Sequence, residues 1–153
     1  MYTKNQVSKT KQAFWTIFGQ YLKPVPSAEG AKVQWQNYKT GIKKIFFRMR
    51  AEKDFASISI EITHPDPDVR ELFFDQFEQF GKLLEMETGE SWEWEKEAVD
   101  EYGGALKRIG KRLEGVNVMN EEDWPAIISF LKPRIIALDR FWANVKYGFE
   151  GLV

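Results

Sequence analysis

The chain has no cysteine and one histidine, His64, among 153 residues. Without cysteine there is no disulfide framework, no thiolate zinc site and no thiol nucleophile. One imidazole gives no support to a histidine metal cluster or a Ser-His-Asp relay. Its place before Pro65-Asp66 reads instead as a strand-to-helix corner. No apolar run approaches the ~18 residues of a membrane span. Met1 to Lys11 is polar with no apolar stretch behind it, which predicts no signal peptide. A cytoplasmic location is the resulting expectation. A phosphate-binding loop is missing as well: Gly103-Gly104 reads as a turn, with no Gly-Lys-Ser/Thr after it. There is no fixed-period repeat or low-complexity tract, so a single α+β domain over residues 1–153 is expected.

Neither sign of charge is scarce overall, but each is scarce locally. Residues 1–50 carry ten Lys/Arg and one acidic residue, Glu29, for a net +9. Residues 51–101 carry sixteen Asp/Glu against Lys53, Arg70, Lys82 and Lys96, for −12. Residues 102–153 return to +2. Such segregation marks either a basic nucleic-acid face or acidic and basic elements lying side by side. A pI near 6.0 favours the second.

What the chain has in quantity is aromatic surface: 12 Phe, 6 Trp and 5 Tyr, 15% of the residues. These large side chains supply a well-filled core, and their spacing sets the expected elements. Phe14, Ile17, Phe18 and Tyr21 form a helical stripe in a first helix over about 8–22, stopped by Lys23-Pro24-Val25-Pro26. Val33 to Thr40 fits either a helical turn or an extended entry to a sheet, and Gly41 breaks it. Alternation predicts strands over 42–50 and 55–63 joined as a hairpin. Asp66-Pro67-Asp68 starts a long helix to Thr88, where Gly89 stops it. Residues 91–97 and 105–114 predict a second hairpin. Asn120 caps a last helical region, which Pro133 should kink or divide and Gly148 should end. The order is α-β-β-α-β-β-α. It implies a two-layer α+β fold, a four-stranded, mainly antiparallel sheet with helices on one face.

The opposite sheet face then carries Arg48, Arg50, Ser59, Glu61, Glu93, Glu95, Arg108 and Arg112, with Phe46 its one aromatic. It reads as charges paired across strands, or as a polar binding platform whose arginines hold phosphate or carboxylate. A single-strand RNA platform wants two or three stacking aromatics. Trp35, Tyr38, Tyr102 and Tyr147 fall off the core stripes and are candidates for a partner interface. The candidate ligand- or partner-binding residues are therefore Trp35, Tyr38, Arg48, Arg50, Glu61, Arg108 and Arg112, with no catalytic or metal-binding residue and no cofactor expected.

Two chemistries need a direct check. The crowd of carboxylates from Glu85 to Glu101, with Glu61, is the only material for a magnesium-dependent enzyme, and charge runs of this kind are usually solvated helix ends and strand faces. A restriction-type nuclease wants Pro-Asp near one strand and Asp/Glu-x-Lys on the next. Pro65-Asp66 and Pro67-Asp68 read as a helix cap, Glu61-Ile62-Thr63 has no lysine, and Glu95-Lys96 has the wrong spacing.

Several residues taken together resemble a known family. Phe14-Trp15, Trp35-Gln36-Asn37-Tyr38 followed by Gly41-Ile42, a long helix ending in Glu85-Met86-Glu87-Thr88-Gly89, Trp92-Glu93-Trp94-Glu95 and Arg108-Ile109 are similar to the bacterial domain-of-unknown-function family numbered 4268, over about residues 10–147. The resemblance implies a module often found C-terminal to nuclease-like domains, here expected in a free-standing form, and brings no catalytic residues with it. The leading expectation is a non-catalytic binding or accessory domain, with an unknown protein or a second copy as partner and no membrane. The alternative is a nucleic-acid-associated module using Lys39, Lys43, Lys44, Arg48, Arg50, Arg108 and Arg112.

Overall fold

The computed structural model describes residues 1–152. Helix α1 spans Lys4–Leu22 and begins earlier than its apolar stripe, because Thr3 and Gln6 form a reciprocal capping box that satisfies two orphan N–H groups. Phe14, Phe18 and Leu22 face the core, whereas Tyr21, expected on the same stripe, is exposed. Residues 23–44 then form a long irregular connection. Strand β1 (Ile45–Ala51) starts at Ile45 and not at residue 42. Gly41 and Lys44 both adopt positive φ, at +83° and +70°, and the Thr40 hydroxyl bonds the carbonyls of Ile42 and Ile45. That turn excludes extended backbone until Ile45.

Strand β2 (Phe55–Ile62) pairs with β1 in the expected hairpin. Strand β3 (Glu93–Val99) and strand β4 (Ala105–Glu114) form the second, and β4 joins β2, giving an all-antiparallel order β1-β2-β4-β3. Period-2 alternation sends Phe47, Ile58, Ile60, Ile62 and Ile109 to the buried face against the helices. An irregularity between Glu95 and Ala98 shifts the β3 register.

The helix expected from Asp66 to Thr88 is two helices. Helix α2 (Pro67–Gln79) begins as anticipated, with the Asp66 carboxylate accepting from Asp68 N–H at 2.8 Å and Pro67 in the first turn. Helix α3 (Gly81–Thr88) is separated from it by Phe80, which leaves helical geometry at φ −100°, ψ 12°. The break turns Phe80 toward Phe149, at 6.1 Å between ring centroids. A second difference runs the other way. Helix α4 (Trp124–Val145) continues through Pro133 and is not divided there. Its buried face includes Ile127, Leu131, Ile135, Leu138, Phe141, Trp142 and Val145, and burying it outweighs the roughly 3 kcal/mol that an interior proline costs. Helix α4 ends at Val145, and Gly148, expected to end the helical region, lies inside the short helix α5 (Tyr147–Glu150).

One apolar cluster joins these elements. Phe149 sits among Phe77 (4.4 Å), Trp142 (5.1 Å) and Phe73 (6.2 Å), centroid to centroid. Four buried indoles each donate their N–H: Trp35 to Val25 O, Trp92 to the Thr88 hydroxyl, Trp124 to Val118 O and Trp142 to Thr40 O. Burying a tryptophan without such a partner would cost about 1–3 kcal/mol. These bonds therefore fix the positions of irregular segments as well as of the rings.

Candidate functional site

The strand register arranges the uncovered sheet face in rows. Phe46, Glu61, Arg108 and Glu95 lie side by side across the four strands. The next row is Arg48, Ser59, Gly110 and Glu93, and the next Arg50, Ser57 and Arg112. Gly110 keeps the middle row low, since a Cβ there would stand 3.3 Å from both Ile58 O and Ser59 Cβ. Arg50 crosses this depression. Its guanidinium donates to both oxygens of Glu61, at 2.9 and 3.5 Å. Ser59 Oγ donates at 3.0 Å and Arg108 Nε at 3.3 Å, and Arg48 Nε stands 3.9 Å away. Arg108 also reaches Glu95 at 3.5 Å.

Glu61 is thus 3% exposed on a face with no helix over it, because arginines cover it. Burial pushes its carboxyl toward the neutral form. The hydrogen bonds and charge of Arg50, with Ser59 and Arg108, overturn that and hold it below the usual glutamate range. A carboxylate held as an anion and saturated with donors is a poor general base near neutral pH. Its guanidinium neighbours also repel a cation. Among the described residues, no three Asp, Glu or His side chains are grouped so as to hold a metal ion.

The residues singled out from sequence separate into groups. Arg48, Arg50, Glu61 and Arg108 meet around one carboxylate. Arg112 lies farther along β4, paired with Glu114 and stacked 3.5 Å over the Phe55 ring. Phe55 shares the polar face with Phe46, so Phe46 is not its one aromatic. The signal was present in the even spacing of Phe55 from Ser57, Ser59 and Glu61. Each ring is already covered, Phe46 by Arg48 at 4.2 Å and Phe55 by Arg112. Trp35 lies in the core. Tyr38 is stacked on Phe47 at 5.0 Å and donates its hydroxyl to Asp139 at 2.5 Å. Burial and that carboxylate raise the Tyr38 phenol well above its ordinary pKa. Asp139, buried on α4, also accepts from Ala28 N–H at 2.6 Å. It fastens the 23–44 connection to the core. An acidic residue inside an apolar helical pattern was the available clue to it. Tyr102 and Tyr147, at 89% and 69% exposure, are free of the core.

The face forms a concave groove of about 760 Å³, rimmed at one end by the β3–β4 turn with Asp100, Glu101 and Tyr102. Its lining carries cationic and acidic side chains in equal number: Lys11, Arg48, Arg50, Arg108, Lys111 and Arg112 against Glu52, Glu61, Glu93, Glu95, Asp100 and Glu101. Lys39, Lys43 and Lys44 lie apart from it, along the outer edge of β1. No helix among the described residues is long and apolar enough to cross a membrane.

Residues 10–146 match the family described as domain of unknown function (DUF4268). The chain belongs to that family. No curated protein and no solved structure matches the chain. The DUF4268 match spans everything from the middle of α1 to the end of α4, so the polar groove lies wholly within it.

Proposed function

We propose that this DUF4268 chain is a non-catalytic binding domain of the cytoplasm whose uncovered sheet face receives a partner protein. The observation that carries this reading is the groove itself. The face is concave, left open by the chain's own helices, and organised around the Glu61–arginine cluster. Arginine and tyrosine are enriched where protein interfaces concentrate their energy, and Tyr102 stands exposed at the rim. Charge balance separates this partner from a nucleic acid. A phosphate backbone calls for a cationic excess, and the groove lining has none.

The test is site-specific photocrosslinking in the native host. A benzophenone side chain at Tyr102 should trap one discrete protein adduct, and the same group at Met86, exposed on α3, should not. The adduct should fall at least fivefold when Arg50→Glu is added. Equal labelling at both positions, or no adduct at Tyr102, would remove the reading.

A further inference from the structure

A second surface has a different character. The β1–β2 ladder bonds through Lys44 and Glu52, with Thr63 N–H donating to Lys44 O at 2.9 Å and Glu52 N–H to Phe55 O at 2.8 Å. In an antiparallel pair bonded residues alternate, so Phe46, Arg48 and Arg50 face β2 and the backbone groups of Ile45, Phe47 and Met49 face outward. Ile45 is satisfied by its own turn: its N–H reaches Ile42 O and its carbonyl accepts from Thr40. The N–H and C=O groups of Phe47 and Met49 have no partner among the described residues. Beside them runs a groove of about 930 Å³, walled by Trp15 of α1 and the 36–44 connection. Lys39, Lys43, Lys44 and Arg48 line it, and no carboxylate does.

We propose that the outer edge of β1 is a strand-addition site for an extended acidic segment of a partner protein. An added strand pairs through its backbone with half-buried Met49 and with Phe47, 4% exposed where it lines the groove, and sets apolar side chains against Trp15 and Ile42. Alternate Asp or Glu side chains meet Lys39, Lys43 and Lys44. A nucleic acid satisfies the charge but not the outward N–H and C=O groups. A second copy offers its acidic edge strand β3, but the irregularity between Glu95 and Ala98 interrupts the straight ladder an added strand needs. This site borders the open face at Arg48 and Met49, which line both grooves; Lys43 and Lys44 line only this one, so their substitution tests it alone.

The experiment selects a phage library of random ten-residue peptides on the whole chain, then measures the enriched peptides by fluorescence anisotropy. Enriched peptides should carry an excess of Asp and Glu. Met49→Pro should weaken them at least tenfold, because proline there removes an outward donor and leaves the β1–β2 bonds intact. Lys43→Glu with Lys44→Glu should do the same. N-methylating alternate amides of the peptide should also abolish binding, with no change to the protein. The proposal is overturned by any of four results: no acidic enrichment, binding indifferent to both Met49→Pro and N-methylation, a twelve-nucleotide single strand binding more tightly than every selected peptide, or self-association in sedimentation that Met49→Pro abolishes.

Discussion

At the scale of single residues, Glu61 and Asp139 show two ways of keeping a carboxylate inside this fold. Glu61 is charge-compensated by arginines, whereas Asp139 is held by a phenol and a backbone N–H. Glu61→Gln leaves the guanidinium groups facing one another without their anion. The loss should be about 2–3 kcal/mol, less than for a fully buried pair because the arginines reach solvent. Its pH signature has a definite sign. The native carboxyl is held below the unfolded value of about 4.3, so the unfolded state takes up protons first as pH falls. The extra stability is present above the unfolded pKa and disappears as pH falls through the native one. Urea unfolding of the wild type and of Glu61→Gln from pH 7 to pH 3 should therefore converge at the acid end. Tyr38→Phe removes the hydroxyl from a buried carboxylate and should cost about 1–3 kcal/mol. The variant should also lose part of the alkaline decline in stability. Above about pH 10 the unfolded phenol ionises while the native one, with its raised pKa, resists. The paired role of Glu61 was legible in the alternation that puts it on one sheet face with Arg48, Arg50 and Arg108. Tyr38 reads from sequence as an aromatic off the core stripes and a candidate partner contact, not as the partner of a buried carboxylate. Its partner is 101 positions away, and no local pattern announces such a bond.

At the scale of elements, the sequence signals that worked were periodic, and those that misled were single residues weighed without their surroundings. Both hairpins and the Asp66-Pro67 helix start follow from local alternation and capping, which need no tertiary partner. The α2–α3 break does not. Apolar spacing continues through Phe80, and the helix stops where that ring seats against Phe149 and Gly81 follows. Pro133 does not divide α4, because its local cost is outweighed by burial. Pro133→Ala should accordingly raise stability by about 1–3 kcal/mol, since it restores a helix donor and removes a steric clash. Gly148 supplies the converse case. A Cβ there would stand 3.0 Å from Gln76 Nε2 and 3.1 Å from the Phe80 ring. Gln76 can move, but the ring is wedged against Phe149. Gly148→Ala should lower stability by about 1–3 kcal/mol through overpacking, seen as a drop of roughly 3–10 °C in Tm by calorimetry. Gly148 read from sequence as a helix end has its function in packing, which spacing alone does not reveal.

At the scale of the whole molecule, the uneven charge along the chain becomes neighbourhood in space. The acidic middle segment lies against its basic flanks: Glu87 pairs with Arg140, Glu90 with Arg134 and Lys111, Glu95 with Arg108, and Glu52 with Lys11. Side-by-side packing of opposite charges was the reading the composition favoured. The four-strand order could not be had from composition, because the placement of β4 between β2 and β3 is set by nonlocal burial. The exception to compensation is the outer edge of β1, where Lys39, Lys43 and Lys44 line a groove without a carboxylate. This arrangement gives salt a predictable effect. Screening between 0.02 and 0.5 M NaCl weakens partly exposed pairs, each contributing ~0.2–1 kcal/mol. Tm should fall by roughly 2–6 °C across that range. Arg140→Glu replaces an attraction with a repulsion at α4 and α3, so its Tm should fall less with salt, or rise. Lys43→Ser with Lys44→Ser removes cations that have no acidic neighbour in the groove, and should leave the salt response of Tm unchanged. If instead the lysine pair governs that response and Arg140 does not, the segregated charges are not compensated in the way the ion pairs describe.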